Sequence, residues 1–291
     1  MRRIAALLLL LVAAFAHAST AQDAASDARE RELSTAIDAD LRAGRHGAAI
    51  LALRELEALH SARGDALAAA SDLGRIGQCY VADHCLAEAE RAFESRLSLL
   101  HRTLPGADHP ELAHALNDLG FCLMRGGSPA PALPYFESAL AMRQRLHAGD
   151  HADVALALSN VAFCLGALDR AQEALPRFEE ALAMSERVFG EDGAEAALAQ
   201  SNLASCLQAL GRVEEALPRF EHALFLLERA RPGDDPDVAR ALGNEASCLL
   251  ANGRAADALA LHERALDMRR RLYVGDHPEL VRAHRACSRG S

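Results

Sequence analysis

The chain of 291 residues contains no tryptophan and no lysine, has three tyrosines, and is only 4% aromatic overall. Without large rings, a core has to be assembled from alanine and leucine on closely approaching helices, which favours an all-α fold over a sheet. Its 31 basic residues are therefore all arginine, whose planar fork lysine does not reproduce. No GxSxG, HExxH or CxxC motif and no phosphate-binding loop occurs, and no acid–base pair stands out from the Glu and Arg faces. The residues point to no enzyme, cofactor or metal. Cationic excess is missing too: the formal net charge is −10, the wrong sign for a partner built on phosphates, so no nucleic acid is expected.

Long apolar runs are confined to one place. Arg2 and Arg3 precede an apolar stretch from Ile4 to Ala16, with small residues at Ala16 and Ala18 around His17. That order is the layout of a cleaved secretory signal, residues 1–18, with the cut expected between Ala18 and Ser19. The stretch is shorter than the roughly 20 residues a membrane-spanning helix needs, so no stable membrane insertion is expected after cleavage. Loss of the two arginines leaves 29 basic against 41 acidic residues, a net charge of −12. A periplasmic or secreted protein follows as the expectation. Residues 19–30 are polar and Ala-rich and read as a short linker.

What the chain does have is a period. Cys122, Cys164, Cys206 and Cys248 stand 42 residues apart, each followed by Leu, each inside a near-copy of one segment. A fixed repeat of this size marks a solenoid whose units stack to share a core. Within one unit, 197–210 and 214–229 both carry apolar residues at helical spacing, with Gly211 at the break, so each unit is a helix pair. Repeats are read at 66–108, 109–150, 151–192, 193–234 and 235–276, with a degenerate N-terminal one at 31–65 and an incomplete C-terminal helix at 277–291. Pro110, Pro236 and Pro278 sit where a first helical turn tolerates a missing N–H, behind a capping His or Asp. Pro134, Pro176 and Pro218 fall about one turn into the second helix, where a modest kink is expected.

Leu203, Ala204, Leu207, Gly211, Ala216, Leu217, Phe220 and Ala223 give the large–small–aromatic spacing, which recurs in Val161, Ala162, Leu165, Ala174, Leu175, Phe178 and Ala181. His262 replaces the aromatic in the last copy. With QEALPRFEEAL and EEALPRFEHAL in the second helices and the GDHPEL link, the units resemble the tetratricopeptide repeats of kinesin light chain. A HEAT or armadillo array also fits the period but lacks this spacing. The resemblance implies a tetratricopeptide-type α-solenoid, a right-handed superhelix of antiparallel helix pairs whose first helices line the concave face.

On those first helices Asp118, Asn160, Asn202 and Asn244 share one column, with Asn117 beside the first. Asn is a mediocre helix former, so its recurrence needs a reason. An amide offers a donor and an acceptor together and matches a peptide backbone without regard to sequence; the column resembles the asparagine ladders of kinesin-light-chain-like repeats and of the superhelix of O-linked N-acetylglucosamine transferase. Phe121 and Phe163 would flank the ladder as apolar anchors, Ser205 and Ser247 take their place later, and Arg75, Gln78 and Arg240 add polar ends. The competing reading has the Asn residues satisfying backbone or cross-repeat bonds. The cysteine column reads as buried thiols, because helices 8–10 Å apart exceed disulfide reach; Cys79 and Cys85 could clip a turn in an oxidising compartment. His109 and His151, one repeat apart, and His277, three repeats further on, read as caps, too separated for a shared metal. The function expected is a scaffold that holds an extended peptide segment of another protein. The alternatives are an assembly subunit using its convex face and helical ends, or a regulatory partner of a separately encoded signalling or protease-like protein.

Overall fold

The computed structural model describes residues 24–273. Among them every regular element is an α-helix. Helix α1 covers residues 24–42, followed by α2 (His46–Ala62), α3 (Ala66–Ala82), α4 (Leu86–Thr103), α5 (Pro110–Arg125), α6 (Pro129–Leu146), α7 (Ala152–Ala167), α8 (Ala171–Phe189), α9 (Ala194–Ala209), α10 (Val213–Ala230), α11 (Pro236–Ala251) and α12 (Ala255–Leu272). Each 42-residue unit contributes two of them. The signal segment 1–18 and the C-terminal stretch 277–291, with Pro278 and Cys287, lie outside the described residues.

Local chemistry sets the helix ends. The imidazoles of His109 and His151 accept the N–H groups of Glu111 and Asp153, and the Asp235 carboxylate accepts from Asp237 and Val238, so the expected caps form. Between first and second helices the chain turns through a left-handed residue, Gly211 at φ 75° and Gly253 at φ 74°. His84 and Asp169 hold the same conformation at φ 60° and 59° despite a side chain, which costs about 1 kcal/mol. Helices α6, α8 and α10 run through Pro134, Pro176 and Pro218.

Two compact units divide at Gly127. In the first, α1 to α4 pack around Leu33, Ile37, Ala49, Ile50, Leu53, Leu56, Ile76, Cys79 and Ala92, and α5 packs against α4. Small residues let the backbones close up: a Cβ on Gly77 would come 2.5 Å from Phe93 Cε1. The stretch read as a linker needs correction, because residues 24–30 are the opening turns of α1. Ala, Arg and Glu there are strong helix formers, and Arg29 pairs with Glu55 while Arg63 reaches Asp27 and Glu30, tying α1 to α2. In the second unit, α6 to α12 pack likewise, with Phe178 and Phe220 buried between Ala and Leu. There α9 approaches both α7 and α11 closely, whereas the backbones of the second helices α8, α10 and α12 stand further apart and are bridged by long side chains, as Arg264 to Glu228 joins α12 to α10, which puts the first helices on the inner side of the curve.

Three exposed ion pairs staple successive repeats of this unit: Arg187 to Asp150, Arg229 to Asp192 and Arg271 to Asp234. Sequence reasoning passed over them as part of a solvated Arg and Glu surface, although their 42-residue recurrence was a usable signal.

Candidate functional site

The inner face of the second unit is built by one stripe from each first helix. On α7 the stripe is Leu156, Asn160 and Phe163, spaced at i, i+4 and i+7, which keeps all three on one face. Phe163 is 65% exposed and Leu156 53%, an unusual investment in a chain with nine phenylalanines. On α9 the same positions are Leu198, Asn202 and Ser205, and on α11 they are Arg240, Asn244 and Ser247. Ser205 and Ser247 are exposed but turn their hydroxyls back onto the carbonyls of Ser201 and Gly243. Arg240 is paired with Asp237 one turn before it.

The asparagines differ in what they do. Asn244 donates from Nδ2 to the Ser201 hydroxyl at 3.3 Å, a bond between neighbouring repeats. Asn160 is half-buried and has a partner of its own, as has Asn117 in the first unit. Asn202 is half-buried, and among the described residues its amide has no hydrogen-bond partner. Asp118 departs furthest from the ladder reading: its Oδ2 takes Arg96 Nη1 at 2.6 Å, while Arg96 Nη2 reaches Glu111 at 2.8 Å. Burial pushes the Asp118 carboxyl up, against the pull of the Arg96 guanidinium. The carboxylate is committed to the fold. Elsewhere on the first unit Phe121 is 50% exposed, Gln78 is exposed, and Arg75 bonds Asp38 at 3.2 Å.

The cysteine column lies just behind these stripes. Cys122, Cys164 and Cys206 are buried and point Sγ at the first carbonyl of a preceding second helix, those of Leu86, Pro129 and Ala171, at 3.5, 3.2 and 3.4 Å. Burial raises all of these thiols above the ordinary cysteine value. The disulfide considered for Cys79 and Cys85 is not made, since both are free. Cys79 is turned into the core with Leu33 and Ile37, and Cys85 faces solvent at the N-cap of α4. An open cleft between α6, α7 and α8, lined by Glu137, Gln144, Arg170, Glu173 and Arg177, includes none of the groove residues.

The tetratricopeptide repeat family model matches residues 65–145, 153–229 and 237–289, well over half of the chain. The chain belongs to the tetratricopeptide repeat family. That family is a non-enzymatic interaction fold, and the resemblance to kinesin-light-chain-type repeats holds in solved structures. BtubC (BKLC) from P. vanneervenii aligns with 20% identity and a TM-score of 0.60 over 87% of this chain and 94% of that one. A variant of the Podosopora anserina putative kinesin light chain TPR-like repeats aligns with 19% identity and a TM-score of 0.58 over 69% and 95%. A Rap protein complexed with Competence and Sporulation Factor aligns with 15% identity and a TM-score of 0.60 over 90% and 74%. At these identities the likeness is one of fold. No curated protein sequence is a significant match. Among the described residues no helix is long and apolar enough to cross a membrane.

Proposed function

We propose that this tetratricopeptide repeat protein holds an extended segment of a partner protein on the inner face of its first helices. The observation that carries the reading is the stripe of α7 and α9: two large apolar side chains, Leu156 and Phe163, left in solvent beside the unpartnered amide of Asn202. In this account Phe163 anchors an apolar side chain of the bound segment, and Asn202 bonds its backbone N–H and C=O. Asn160 and Asn244 widen the ladder when a segment competes for their present contacts. Ser205, Ser247 and Arg240 supply polar contacts along it. The solved complex of a Rap protein with Competence and Sporulation Factor, on a similar helical array, supports the reading by fold.

We place the protein outside the cytoplasm, with the first 18 residues removed after Ala18. Intact-mass measurement of the exported protein tests this: a mature chain starting at Ser19 is expected, and one starting at Met1 contradicts it.

Selection of linear peptides from a random displayed library tests the groove. Selected peptides should bind the wild type and lose at least about tenfold affinity for a Phe163→Ala, Asn202→Ala double variant, the loss expected for about 1.4 kcal/mol. Equal binding to the variant moves the site elsewhere and favours assembly through the convex surface.

A further inference from the structure

The link joining α6 to α7 gathers two imidazoles and a carboxylate. His147 follows the last turn of α6, His151 is the N-cap of α7, and Asp153 lies in its first turn. The two rings are stacked, with centroids 3.5 Å apart and planes 8° from parallel. His147 Nε2 lies 3.6 Å from Asp153 Oδ2 and His151 Nδ1 lies 3.8 Å from the same oxygen. One donor atom from each of the three falls within 4.8 Å of the other two.

We propose that His147, His151 and Asp153 form a binding site for a divalent cation of the zinc class. With metal–ligand bonds of about 2.0–2.2 Å, two ligands of a tetrahedral site stand about 3.4 Å apart; the two distances to Asp153 Oδ2 close by a few tenths of an ångström, and the stacked rings turn out of parallel so that both imidazole lone pairs meet at one ion. Two imidazoles and one carboxylate are a borderline donor set, suited to zinc and its neighbours and not to calcium or magnesium, which take oxygen ligands. The fourth position is left to water. Asp150, the other carboxylate of the link, is taken up by both arms of Arg187 at 2.5 and 2.8 Å and does not compete. Buried Arg143 donates to the Asp153 carbonyl at 3.2 Å and fixes the first turn of α7. The electrostatics are balanced: the C-terminal end of α6 favours a cation, while the N-terminal end of α7 and Arg143 oppose it, leaving the Asp153 charge to decide. His151 Nδ1 now accepts the Asp153 N–H at 3.1 Å, so a cation binding there displaces the cap and joins the two helices through the metal instead.

The other links provide the comparison. One period before, one period after and two periods after, the place of His147 is held by Pro105, Phe189 and Arg231, and that of His151 by His109, Gly193 and Asp235. The link at His109 keeps its cap and its acid, Glu111, but has no second imidazole. Periodic reading therefore recognised His151 as a cap and overlooked His147, which belongs to no column.

Zinc titration of the tag-free, chelator-treated full chain against a chromogenic zinc chelator tests the site, with cobalt(II) absorption in the visible as a coordination probe. The variants are His147→Phe and His147→Arg, which place in this link the residues of the following copies and so keep the fold, together with Asp153→Asn and His109→Ala. One equivalent should bind saturably, His147→Phe, His147→Arg and Asp153→Asn should each lower affinity more than about tenfold and abolish the cobalt bands, and His109→Ala should change neither. Absence of saturable binding, or wild-type binding by the His147 variants with helical content unchanged, overturns the proposal.

Discussion

Arg96 Nη1 lies 2.6 Å from Asp118 Oδ2, joining α4 to α5 through a guanidinium whose side chain is only 7% exposed. One member of the asparagine column is thus an internal strut. Gly74 leaves room for it, since a Cβ there would stand 2.9 Å from Arg96 Nη1. Asp118→Ala strands half of the Arg96 fork and should cost about 1.5–3 kcal/mol, the range for a bond to a charged group. The low end is expected, because Glu111 remains as a partner. Urea denaturation measures the loss; an unchanged midpoint would mean that Arg96 escapes to solvent and that Asp118 serves the groove after all.

The last repeat breaks the core pattern twice, and the two breaks respond oppositely to pH. Glu245 stands where Leu119, Val161 and Leu203 stand in the other copies, buried, with Oε2 lacking a hydrogen-bond partner. Burial, then Glu221 and Glu228, push its carboxyl up. His262 replaces the buried Phe of the other copies, and burial, then Arg269, push it down. For a carboxyl raised in the fold the penalty is present above the folded pKa and fades as pH falls through it; for a histidine lowered in the fold, stability is lost as pH falls below the unfolded value of about 6.5. Glu245→Leu should therefore stabilise α11 and α12 at neutral pH by about 1–3 kcal/mol, with the gain shrinking in acid. His262→Phe should remove an acid-side loss that begins near pH 6.5. Amide hydrogen exchange of α11 and α12 from pH 5 to 8 measures both, and a pH-independent gain from Glu245→Leu contradicts the assignment.

Thiol chemistry separates the column from the turn. In a Cys287→Ser chain, Cys85 should react rapidly with a thiol-specific reagent, while Cys79, Cys122, Cys164, Cys206 and Cys248 should wait for unfolding, being buried with their thiols pushed up. Denatured without reductant, six thiols should titrate. Four would restore the Cys79 to Cys85 disulfide.

Much of the fold was legible because a repeat states its answer several times. The cysteine period and the Ala, Leu and Phe spacing gave the helix pairs, and Gly211 with the capping His and Asp residues gave their ends. Residues 24–30 were misread because a short Ala-rich polar segment shows the same composition as a linker and as an exposed helix, and only the cross-helix pairs of Arg29 and Arg63 separate the two. The groove was legible as columns but not in its chemistry. Sequence spacing treats Asp118, Asn202 and Asn244 as equivalent, whereas their neighbours differ: a buried arginine, no partner among the described residues, and the Ser201 hydroxyl.

That difference gives a stability test inside the ladder. Asn244→Ala removes the donor to a buried hydroxyl and should cost about 1 kcal/mol, while Asn202→Ala should be neutral or slightly stabilising because Ala is the better helix former. Thermal melting of the two single variants measures it; an equal, large drop for both would make the column structural.

The most direct measurement replaces the backbone amides of a selected peptide, one at a time, by esters and compares each affinity for wild type and Asn202→Ala. If Asn202 reads the backbone, at least one ester should weaken binding to the wild type by about 0.5–1.5 kcal/mol and have no such effect on Asn202→Ala. Ester penalties that are the same in both proteins at every position would contradict backbone capture by the asparagine column.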